Sequence, residues 1–222
     1  MATEEDIANL ALSHLGDTAT VASLNPPEGS AQSEHAARFY PIARDTLLEM
    51  HTWRFSTKRV ALAKLTSNWP EWDFAYAKPS DASKVWAVLP PDATDDNSAP
   101  ARLPSAIVPP GTPDWGVYTP QPFTMEVDAS GAEVIYTDQD NAVARYTHVV
   151  TDTSRFSPLF VMALSWHLAS MLAGPVIKGD AGAAEAKRAT AMMQSYLSQA
   201  KESDANQQHQ RVKHNVDWMT GR

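Results

Sequence analysis

Between residues 157 and 173 the chain reads SPLFVMALSWHLASMLA, and after Ser157 only Ser165, His167 and Ser170 interrupt the apolar run. Ser157 suits an N-cap and Pro158 the first helical position, where the missing N–H of proline costs nothing. Gly174 and Pro175 predict the end of this helix. A helix with no wet stripe is buried on several sides. About 16 residues at about 1.5 Å each span about 24 Å, short of a hydrocarbon core of about 30 Å, so the pattern predicts a buried core helix and no membrane span.

Other stretches carry weaker helical periods. Ile7, Leu10, Ala11 and Leu15 share one face of a helix over residues 3–15, with Thr3 and Asp6 forming a shortened capping box and Gly16 stopping it. A second helix is expected over 33–50, with Phe39, Ile42, Ala43, Leu47 and Met50 on its apolar side. Pro41 falls inside that pattern and should kink or divide it near Tyr40. A long helix follows over 180–204, where Ala183, Ala186, Thr190, Met193, Leu197 and Ala200 make a small, mildly apolar stripe suited to close packing.

From 68 to 151 the pattern changes to short strands and turns. Residues 54–65, 72–77, 84–89, 123–127, 133–137 and 143–148 have strand composition, separated by Pro79-Ser80-Asp81, Ser130-Gly131 and Asp138 to Asn141. Residues 90–121 hold eight of the 16 prolines and read as a long excursion. The fold class is therefore α+β. An α-helical bundle is built from both chain ends (1–60 and 152–205), with an inserted antiparallel β-region (61–151). An extended C-terminal tail (206–222) completes the chain. Trp53, Phe55, Phe156, Phe160, Leu164 and Trp166 are the expected core.

Composition narrows the chemistry. The chain has no cysteine, which removes disulfides and thiolate metal sites, and its formal net charge of −8 argues against general DNA binding. No secretory signal is visible at the N-terminus. The seven histidines show no metal-ligand spacing, so no metal or cofactor is expected. His167 reads as a satisfied core histidine, and His14 and His51 as partners of helix C-termini. Asp138-x-Asp140-Asn141 lacks the glycine and terminal glutamate of a calcium loop and reads as a turn. Glu49, Asp73 and Asp81 supply carboxylates for a glycan or peptidoglycan hydrolase only if they converge in a cleft. Trp69, Trp72, Phe74 and Tyr76 would serve a carbohydrate-binding module, although core and interface packing suits such aromatics better.

Several strings occur together in a telling order. They are ALSHLG (11–16), ARDTLLEMHTWRF (43–55), Tyr76 with Pro79-Ser80-Asp81, IYTDQ (135–139), RYT (145–147) and FSPLFVMALSWHLA (156–169). In order and spacing this set resembles the head-to-tail adaptor of short-tailed bacteriophages, the tail tubular protein A family, over about residues 5 to 205. Pro41 and residues 90–121 depart from the pattern. The resemblance implies a structural protein of the virion, without enzymatic activity. Its copies would form a homo-oligomeric ring, typically of twelve, between the portal protein and the tail nozzle protein. Genomic DNA would pass through the ring without sequence-specific binding.

Within that reading, Ala183, Ala186, Thr190, Met193 and Leu197 are the expected subunit–subunit helix face. Residues 206–222 carry Arg211, Val212, Lys213, His214 and Trp218, anchors without a core of their own, and are expected to order on the portal. Deleting 206–222 should therefore weaken portal binding in a pull-down, and undiminished binding would reject that role.

Overall fold

In the computed structural model of the chain, residues 2–66, 69–91 and 121–207 are described, and they divide into two compact units. The first comprises residues 1–47 and 152 onward, the second residues 48–151. The β unit thus starts at Leu48 and not at 61, because the strand that follows Ser56 pairs inside its sheet. The portal-docking residues Arg211, Val212, Lys213, His214 and Trp218 lie outside the described residues, as do 92–120 of the proline-rich segment.

Among its described residues the first unit holds four α-helices: α1 (Glu4–His14), α2 (Ala31–Glu49), α3 (Pro158–Ile177) and α4 (Gly179–Ala205). Thr3 caps α1. Its hydroxyl accepts the Asp6 N–H at 3.1 Å, and the Asp6 carboxylate accepts the Thr3 N–H at 2.9 Å. At the other end Gly16 takes φ +77°. The N–H of Gly16 donates to Ser13 and that of Asp17 to Leu12, so the last carbonyls of α1 are satisfied.

α2 is not divided at Pro41. Buried residues on both sides of the proline, Ala36 and Tyr40 before it and Ala43 and Leu47 after it, keep one helical register, and Pro41 itself is exposed. The buried face differs from the expected one. It runs Ser33, Ala36, Tyr40, Ala43, Leu47, while Ile42 is 53% exposed and Met50 45%.

α3 runs past Gly174 and Pro175 to Ile177. A helical proline forfeits only the one bond its own N–H would have made. The helix ends at Lys178, φ +63°, whose N–H donates to the Gly174 carbonyl at 3.0 Å. At 20 residues α3 is long enough to cross a membrane, so the length argument against a span falls. In this fold α3 instead packs against α1 and, most extensively, against α4. Phe160, Leu164, Leu168 and Leu172 are fully buried along it.

Among its described residues the second unit pairs its strands antiparallel throughout. Its strands are β1 (Thr57–Ala61), β2 (Lys64–Leu65), β3 (Phe74–Ala77), β4 (Ala82–Leu89), β5 (Phe123–Val127), β6 (Glu133–Thr137) and β7 (Val143–His148). One sheet has the order β1-β7-β4 and the other β2-β3-β6-β5. β1 and β2 belong to one run of chain that passes from the first sheet to the second. At the opposite corner the Gln121 N–H reaches the Val88 carbonyl at 3.3 Å. The sheets enclose a shared core of Tyr76, Val85, Val88, Ile135, Ala144 and Tyr146. β3 and β4 are adjacent in sequence yet lie in different sheets, so Pro79-Ser80-Asp81 is a corner and not a hairpin.

Helix α4 depends on one small residue for its approach to α3. A Cβ built on Gly182 would stand 2.8 Å from the Ala173 carbonyl oxygen. Glycine to alanine in a helix normally stabilises by about 1 kcal/mol. Gly182→Ala should instead cost about 1–3 kcal/mol in a urea titration, because backbone must move. An unchanged or raised midpoint would contradict this packing.

Candidate functional site

Several chemically capable side chains of the helical unit meet where α1, α3 and α4 join. The His14 ring stacks on the Trp166 indole with centroids 3.7 Å apart and planes 4° from parallel. His14 Nε2 and the Ser165 hydroxyl are 3.1 Å apart, and that hydroxyl donates its proton to the Met162 carbonyl at 2.9 Å. The hydroxyl is then the acceptor, which makes Nε2 the protonated nitrogen of His14. Arg188 of α4 completes the group. Its Nη2 donates to the His14 carbonyl at 2.9 Å, its Nε to Glu185 at 2.6 Å, and its guanidinium lies 5.3 Å from the Trp166 ring.

This arrangement binds three helices to one another. It offers no nucleophile, because the Ser165 proton is committed and no carboxylate orients His14. Burial pushes the His14 pKa down, and the Arg188 charge adds to the effect. The sequence places His14 at a helix C-terminus, which is correct, but its Trp166 and Arg188 partners lie about 150 and 170 residues away and leave no local signal.

His167 departs from expectation. Both of its ring nitrogens are buried and have no hydrogen-bond partner among the described residues, so it is not a satisfied core histidine. Burial lowers its pKa as well. Of the expected core, Trp53, Phe160 and Leu164 are fully buried, with Phe156 and Trp166 nearly so. Phe55 is only half-buried and stacks on Trp53 at 5.8 Å.

The α4 stripe also requires correction. Met193 and Leu197 are buried, as is Ala200, and they lie on the same side of α4 as Gly182, which meets α3. They are committed within the chain and cannot double as a subunit–subunit face. Ala186 is half-buried, and Ala183 and Thr190 remain exposed at the margin.

Among the described residues of the β unit the acids do not converge. Asp81 accepts Lys58 Nζ at 2.6 Å and the Tyr146 hydroxyl at 2.8 Å, pinning the corner before β4. The lysine bond holds the Asp81 carboxyl below its usual range, while burial and Asp81 push Tyr146 up to about 12. The Asp138 to Asn141 stretch is a turn between β6 and β7, with Asn141 at φ +52°. Among the described residues no group of three or more His, Asp or Glu is placed to hold a metal ion.

A shallow depression of about 330 Å³ lies on the outer face of the four-stranded sheet, between Leu65, Trp69, Val134, Tyr136 and Asp128. Its one carboxylate serves its own turn, since Asp128 accepts the N–H groups of Ser130 and Ala132. The aromatic group is split. Phe74 and Tyr76 face the shared core, Trp72 packs on Ala75, Val134 and Tyr136, and only Trp69 stands out at 59% exposure. Neither a hydrolase nor a carbohydrate-binding module gains support from this geometry.

No protein-family model matches the chain, and no curated protein matches its sequence.

The lowered histidine pKa values fix a sign. A folded-state value below 6.5 means that the unfolded chain takes up the proton first. The contribution of His14 is therefore complete above about pH 6.5 and is lost as pH falls through the folded value. Thermal midpoints should drop as pH falls below about 6.5, and His14→Gln should flatten that drop while His167 retains part of it. An identical pH slope in the variant would show that His14 does not titrate as described.

Proposed function

We propose that the chain is a head-to-tail adaptor of a short-tailed bacteriophage, a structural protein at the head–tail junction of the virion. It is assembled from subunits in the host cytoplasm. Copies of the chain form a ring, typically of twelve, with the portal protein on one side and the tail nozzle protein on the other. The genome passes through without sequence-specific contact, and the net charge of −8 per subunit suits a channel wall that repels phosphate. Residues 206–222, with Arg211, Lys213 and Trp218, reach the portal in this reading.

The observation that carries the proposal is the state of α3. It is apolar on nearly every side, yet only half of its most apolar 18-residue window is buried within one chain. Leu159, Val161, Met162, Met171, Val176 and Ile177 are each only partly covered. Association with identical neighbours is the ordinary way to cover such a surface. The sequence resemblance supports the same reading at a second level. Two of its strings, ALSHLG and FSPLFVMALSWHLA, meet in space through His14, Ser165 and Trp166.

Light scattering on the purified chain, alone and mixed with portal rings, tests the proposal. It should reveal a species of about 290 kDa beside the 24.3 kDa subunit if twelve copies associate. Electron microscopy should show end-on rings seated on the portal. A chain that remains monomeric in both conditions would defeat the proposal.

A further inference from the structure

α2 presents a line of side chains that the described residues leave uncovered. At about 100° per residue, Ile42 lies about 160° around the helix from the buried Tyr40, and it is 53% exposed. Arg38, Asp45 and Glu49 lie along the same line and are exposed too. A single exposed isoleucine needs no explanation. Here it sits between a base on one side and acids on the other, and a matching pattern exists elsewhere in the molecule.

That match is the outward line of α4, opposite the buried Met193. It runs Ala184, Lys187, Ala191, Ser195, Ser198 and Glu202, all exposed. Its middle is small enough for a second helix to approach closely, with a base near one end and an acid near the other.

We propose that α2 of one copy packs antiparallel on α4 of the next, with Ile42 seated between Ala191 and Ser195. Charge selects the occupant and its direction. Run antiparallel, Arg38 points toward Glu202 and Glu49 toward Lys187. Run parallel, Arg38 falls beside Lys187 and Glu49 beside Glu202, which like charge disfavours. The spans, about 16 Å for residues 38–49 and about 22 Å for 187–202, differ by what these long side chains can bridge. The interface uses two different surfaces, so it propagates head to tail and either closes into a ring or extends as a filament. Its closure rests on the adaptor reading; the pairing of the two helices does not.

The absence of native cysteine makes the test direct. Ile42→Cys and Ala191→Cys are prepared as separate chains, mixed at assembling concentration and oxidised. A disulfide-linked pair should form between the two variants, and the doubly substituted chain should give a ladder. Arg38→Glu should weaken assembly about tenfold or more, and Arg38→Glu with Glu202→Arg should restore it. Rings that form without the cross-link and tolerate Arg38→Glu would overturn this interface and leave the adaptor reading standing. Cross-linked open filaments would support the interface and defeat the adaptor reading. A chain that stays monomeric alone and with portal rings overturns both.

Discussion

A helix apolar around its whole circumference has to be covered, and most of the helical unit is arranged to cover α3. α1 lies along it, tied by His14 and Ser165. α4 folds back immediately after Lys178 and comes close because Gly182 carries no side chain. Fully burying one leucine or phenylalanine contributes about 1.5–3 kcal/mol, and α3 alone buries Phe160, Leu164, Leu168 and Leu172. The coverage is still incomplete, and the partly exposed apolar residues of α3 are the structural reason to expect neighbours.

The β unit meets its own constraint differently. Two small sheets share one core, and the run from β1 to β2 joins them at one corner and the Gln121–Val88 bridge at the other. Several of its ionisable residues act as fasteners. Lys58, Asp81 and Tyr146 hold a corner, and Asp128 holds a turn. Exposed pairs of this kind contribute little stability each, but they fix where the chain changes direction.

Much of this was legible in the sequence, for identifiable reasons. Thr3, Asp6, Gly16, Ser157 and Pro158 act through local backbone hydrogen bonds, so their positions alone locate the helix ends. The α+β class followed from the change of period at the two borders of the insert. What failed depended on tertiary partners. Pro175 reads as a stop, yet α3 continues to Ile177 and ends only at Lys178, whose N–H donates to the Gly174 carbonyl. Ile42 and Met50 read as part of the apolar side of α2, yet its buried face is rotated toward Ala36 and Tyr40. Asn9 gave no signal at all, although its amide clasps both backbone groups of Val21, at 2.9 and 2.7 Å. The small stripe on α4 was visible, but sequence cannot say whether such a stripe meets its own chain or another, and Met193 and Leu197 meet their own.

The central claim is that the uncovered apolar surface of α3 is completed by other copies of the chain, and methionine oxidation reads it most directly. Met162 and Met171 are half-buried on that helix, while Met193 on α4 is buried and serves as an internal standard. With dilute peroxide and peptide mass spectrometry, Met162 and Met171 should oxidise readily in the dilute chain and become several-fold protected on assembly, with Met193 slow throughout. Equal oxidation of Met162 and Met171 in both states would contradict the claim.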